Sequence, residues 1–190
     1  MKKKLVAIAV IVICLAILAT GTLAYYTAED TARNVITTGH IAIELVEKHI
    51  DDNGAEVDFP TDGIADVMPG SSVSKIVSVK NTGEEAWIRV KVEKKITAAD
   101  GSDMNTDVIT FQVDETKWLL KDGYYHYMLP VATDASTDIL FDEVEFAATA
   151  GNEYQDCKVE IFVSAQAVQT ANNGTAVEEA AGWPVPEIIE

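Results

Sequence analysis

The chain has 190 residues, 31 of them acidic and 14 basic, for a net charge of −17 at pH 7. Charge of that sign and size repels nucleic-acid phosphates and anionic membrane surfaces, which excludes nucleic-acid partners and leaves divalent cations and basic partners. With two cysteines, the fold must rest on packing rather than on a disulfide framework.

Chain order begins with export. Lys2, Lys3 and Lys4 precede an apolar run from Leu5 to Leu18, followed by the small residues Ala19, Thr20, Gly21, Thr22 and Ala24. This is the pattern of a secretory signal peptide over residues 1–24, helical in its apolar part, with Thr22-Leu23-Ala24 setting cleavage between Ala24 and Tyr25. Left uncut, the same run is long enough to anchor the chain in a membrane, and that is the only membrane contact expected. Cys14 lies mid-segment behind Ile13, which argues against a lipoprotein. Loss of three lysines and no acid leaves 11 basic residues against 31 acidic ones, a net charge near −20.

Residues 25–38 form an arm ahead of the first confident strand. Tyr25, Tyr26, Val35 and Ile36 stand among threonines and alanines, so the arm can pair as an extended strand, either exchanged onto the sheet of the next subunit or laid against its own domain. From residue 39 to 170 the apolar period is two nearly throughout, the mark of half-buried strands. Ile41, Ile43 and Leu45 alternate with polar or small residues, as do Ile88, Val90 and Val92, then Ile109, Phe111 and Val113. Strands are also predicted over Val73–Lys80, Ala86–Ile96, Trp118–Leu120 and Tyr124–Leu129. The run from Cys157 to Ala167 is long, and apolar residues on both faces near Phe162 predict a central strand with Cys157 as a small core residue. Pro69-Gly70, Asn81-Thr82-Gly83, Asp100-Gly101-Ser102-Asp103 and Gly151-Asn152 mark turns and loops, and Lys121-Asp122-Gly123 marks a hairpin, because Asp-Gly accepts positive φ. The fold class is all-β, an antiparallel β-sandwich of jelly-roll type. Residues 171–190 form a tail on or near the domain, with one or two helical turns at Thr175–Ala181 and an irregular stretch from Trp183.

Catalytic chemistry is not signalled. His40, His49 and His126 have no zinc spacing, and on a strand His40 and Glu44 stand about 13 Å apart. His126, among Tyr124, Tyr125 and Tyr127, is expected to pack across strands. The acid clusters at Asp51 and Asp52 and at Asp100, Asp103 and Asp107 offer oxygen ligands that suit calcium, although neither matches the twelve-residue loop that ends in a bidentate glutamate. Solvated turns in a very acidic protein are the favoured account of both clusters, calcium the weaker one, and no other cofactor is expected.

Three groups of segments carry a family likeness. The first is Leu23-Ala24-Tyr25-Tyr26-Thr27-Ala28-Glu29-Asp30 followed by Gly39-His40-Ile41-Ala42-Ile43-Glu44-Leu45. The second is Met68-Pro69-Gly70, a strand, Asn81-Thr82-Gly83, and Ile88-Arg89-Val90. The third is Asp122-Gly123-Tyr124-Tyr125-His126-Tyr127 with Ala165-Gln166-Ala167-Val168-Gln169 and Ala181-Gly182-Trp183. In this order they resemble the TasA/camelysin family of exported proteins of Gram-positive bacteria, whose signal peptides are cut by a dedicated SipW-type signal peptidase. The resemblance implies a jelly-roll sandwich, a secreted or cell-surface location, and use as a homo-oligomeric subunit of extracellular fibres or biofilm matrix. It also implies, for some members, a surface metallopeptidase activity, which no zinc pattern here supports. A monomeric binding module marked by the tyrosine-rich hairpin is the alternative. No wall-sorting pattern closes the sequence, so surface retention is expected to come from partners or an uncut signal.

Overall fold

Alternation of apolar with polar residues places one face of each segment in a core and leaves the other wet. The computed structural model describes residues 41–60 and 68–184, and over them the chain is all-β. The described strands are β1 (Ile43–Ile50), β2 (Glu56–Asp58), β3 (Ser72–Asn81), β4 (Ala86–Thr97), β5 (Ile109–Thr110), β6 (Trp118–Lys121), β7 (Tyr124–Tyr127), β8 (Phe141–Phe146) and β9 (Lys158–Gln169). They build two antiparallel sheets, ordered β2-β1-β3-β8-β5 and β6-β7-β4-β9. Among the described residues helix is limited to 3₁₀ turns at Asn152–Tyr154 and Val177–Glu179, and no helix is long and apolar enough to cross a membrane. The expected signal segment and the arm from Tyr25 to Thr38 lie outside the described residues.

One hydrophobic core draws on both sheets. Val77 and Val79 of β3, Ile88 and Val90 of β4, Trp118 of β6 and Phe141 of β8 are buried in it together. Removing several large apolar side chains from water at about 25 cal/mol per Å² is the main force that holds the sheets. Between β1 and β3, Lys75 Nζ lies 2.6 Å from Glu47 Oε1, with both side chains under a tenth exposed, and Lys75 sits 3.8 Å over the Phe59 ring.

Turn chemistry follows the sequence. Asp122 and Gly123 take φ of 52° and 78° and join β6 to β7 as a two-residue hairpin, the geometry that matches strand twist. Asn81 does more than turn the chain. Fully buried, it donates Nδ2 to the carbonyls of Glu84 and Val131 at 2.7 and 2.8 Å and accepts the Gly83 N–H at 2.9 Å.

Several expectations need correction. The strand expected over Ile109–Val113 is laddered only at Ile109–Thr110, yet Phe111 still stacks on Phe141 with ring centroids 4.5 Å apart. The strand from Tyr124 ends at Tyr127: Met128 N–H still donates to the Lys117 carbonyl at 2.9 Å, and the chain bends at Met128 and Leu129. The helical turns over Thr175–Ala181 reduce to the single 3₁₀ turn. Cys157 lies one residue before β9 and is half-buried, its Sγ 3.2 Å from Met104 Sδ. Among the described residues Phe162 is not in a central strand: β9 is the edge of its sheet and Phe162 is 52% exposed. Two strands escaped the sequence reading, the three-residue β2 and β8. In β8 the inward residues are Phe141, Val144 and Phe146, and a register slip against β3 between Ser74 and Val77 breaks the period-two signal.

Candidate functional site

The longest free sheet edge among the described residues belongs to β9. All twelve of its residues pair with β4, from Ala86↔Gln169 to Thr97↔Lys158, and no described strand lies on its other side. At about 3.4 Å per residue this edge is roughly 40 Å of backbone donors and acceptors. The other edges are shorter: β2 has three residues, β5 two and β6 four. Toward its start β9 exposes Val159 and Phe162. Phe162 stands across from Glu93 on β4 and lines an open hollow of about 450 Å³ with Lys95, Asp103 and Met104. Such an edge offers an incoming strand main-chain hydrogen bonds together with a place for alternate side chains.

The sequence candidates fall in several places. Ala24, Tyr25, Tyr26, Val35 and Ile36 lie outside the described residues. Asp51 and Asp52 sit on the β1–β2 connection, where Asp51 Oδ1 accepts the N–H groups of Asn53 and Ala55 at 2.9 and 2.8 Å. The Ala55 bond is the largest influence holding the Asp51 carboxyl below the usual carboxylate value. Asp100, Asp103 and Asp107 lie on the β4–β5 connection. The Ser102 hydroxyl donates to Asp100 Oδ1 at 2.7 Å and likewise lowers its pKa, and Asp103 lies 3.6 Å from Lys95 Nζ. The two clusters are on separate connections, and among the described residues no three His, Cys, Asp or Glu side chains converge as a metal site.

A second cluster lies on the outer face of the β6-β7-β4-β9 sheet. Arg89 of β4 lies between the rings of Tyr124 and Trp183, 3.9 and 4.5 Å from their centroids, and its Nε and Nη2 donate to Gln166 Oε1 at 2.9 and 2.7 Å. His126 of β7, opposite Arg89 in the ladder, is buried and meets Trp183 edge to face at 5.6 Å. Its packing thus reaches the C-terminal segment as well as its own hairpin. Alternation puts Arg89, Tyr124 and His126 on an outward face, but nothing in the sequence pairs Trp183 with them.

No known family model, curated protein or solved structure matches the chain.

Proposed function

We propose that the chain is a secreted structural subunit of extracellular fibres or biofilm matrix, built as a jelly-roll-like sandwich of its two sheets. In this reading cleavage after Ala24 frees the arm from Tyr25 to Thr38, which adds as a strand to the sheet edge of the next subunit. The observation that carries it is the β9 edge, twelve residues long with Val159 and Phe162 exposed beside it. An arm of about fourteen extended residues spans a comparable length. Donation from each subunit to the next is heterologous and does not close, so it yields an open filament. Tethered to its signal segment, the arm cannot reach a neighbour freely, and processing by a signal peptidase would license assembly. Subunits near −20 repel one another, so salt, calcium or mild acid should favour polymers by screening or neutralising carboxylates.

The test is electron microscopy with size-exclusion chromatography on the mature protein beginning at Tyr25, with and without salt and calcium. Filaments are expected, and a chain lacking residues 25–34 should remain a folded monomer. Filaments from the shortened chain would remove the arm from the mechanism. A monomer under every condition would favour a binding module instead.

A further inference from the structure

Segment 170–184 crosses the outer face of the β6-β7-β4-β9 sheet and covers one end of it. Val177, Ala180 and Trp183 of this segment pack with Trp87 and Val168 in a small cluster separate from the main core. Asn173 ties the segment down: its Nδ2 donates to the carbonyls of Gln169 and Ala181 at 3.0 and 3.1 Å, its Oδ1 accepts the Ala181 N–H at 2.8 Å, and its own carbonyl accepts Trp87 Nε1–H at 3.1 Å. The far end rests on Trp183, held by the Arg89 guanidinium and the edge contact with His126. His126 is 5% exposed and its buried Nδ1 has no hydrogen-bond partner.

We propose that segment 170–184 is an acid-released strap, in which protonation of His126 beneath Trp183 drives the strap off the sheet and uncovers Trp87 and Val168. The groups facing His126 decide the direction. From β4 comes the Arg89 cation, from the β6–β7 turn come Lys121 and Asp122, and from β7 itself comes Tyr124. The strap contributes the Trp183 ring, the Pro184 carbonyl at 3.5 Å from Arg89 Nη2, and the Glu178 carbonyl at 3.5 Å from Lys121 Nζ. Its carboxylate at Glu179 is engaged with Thr175, and Gln166 of β9 is neutral. Two cations therefore face His126 against one anion. Protonation would add a third positive charge beside Arg89 and Lys121 and make the unpartnered Nδ1 a buried charged donor, a cost larger than the attraction of one cation for the Trp183 ring.

Burial first and Arg89 second hold the imidazole below the usual histidine value, against a backbone hydrogen bond at Lys121 and the Asp122 charge. The strapped state thus binds fewer protons than the released one. Strapping is fully favoured above about pH 6.5 and is lost as pH falls through the lowered value of the strapped state. This mechanism requires neither the fibre nor the arm.

The experiment is hydrogen exchange of the mature protein between pH 7.5 and 5, corrected for intrinsic rates, with far-ultraviolet circular dichroism as a check on the sheets. Exchange in 170–184 should rise about tenfold or more, while β4 stays protected. His126→Phe keeps the edge contact without the proton site and should hold the strap down at pH 5. Equal protection at both pH values, or release of His126→Phe over the same range as the unaltered chain, would overturn the proposal. If that variant does not fold, magnetic-resonance titration of His126 in the unaltered protein decides. Strap release that follows His126 supports the switch, and release before it titrates, or none after, refutes it.

Discussion

On the core-facing side of the β6-β7-β4-β9 sheet, Ile88, Val90, Trp118 and Ala167 share a continuous core with Val77 and Val79 of the other sheet. On the outer side, Trp87 and Val168 are covered by one irregular segment, and four strand positions before Gln166 the same face shows Phe162 to solvent. The first environment is the sum of many weak non-directional contacts, so no single group controls it. The second depends on a few directional ones, namely the Arg89 contacts with two rings, the Asn173 amide and the His126 edge. A surface held that way can be released by changing one of them, whereas the core can only be lost with the fold.

Three substitutions grade this contrast. Trp118→Ala empties the largest fully buried side chain and should cost about 3–5 kcal/mol, read as a lower denaturant midpoint at unchanged slope. A loss under about 1 kcal/mol would mean that the core is as loosely held as the outer face. Trp183→Ala should cost about 1–2 kcal/mol, from one ring's partial burial and its contact with Arg89. Its larger signature is local, with faster hydrogen exchange in 170–184 than in β4, and uniform loss of protection would show the strap to be part of the cooperative unit. Phe162→Lys should change stability by no more than about 0.5 kcal/mol, as expected of an exposed position, yet reduce any polymer yield seen by sedimentation. Unchanged polymers would place the contact elsewhere than this edge.

Much of the fold was open to a reader of the residues because one-sided burial imposes a period of two. β1, β3, β4 and β9 obey it, and Asp122-Gly123 turns where a positive φ was required. The pattern failed in β8, where the slip against β3 moves the inward side from Phe141 to Val144. It misled at Phe162, because a strand with apolar residues on both faces reads the same whether the outer face is covered by another element or left bare. Of the candidate site, the strand was legible and its edge position was not. Strand order is a property of long-range pairing, and the alternation along β9 does not depend on whether one neighbour or two lie beside it.

By itself the sequence determined which residues seek burial, where the chain turns, and how strongly acidic the molecule is, since periodicity, φ preference and charge belong to residues and their near neighbours. Only the tertiary structure decided that β9 ends its sheet among the described strands, that Asn81 is a fully bonded core amide, that Lys75 and Glu47 meet, and that Trp183 closes over Arg89 and His126. Those outcomes join residues far apart in the chain, and which distant partners meet is fixed by the packing of the whole sheet arrangement rather than by any local preference.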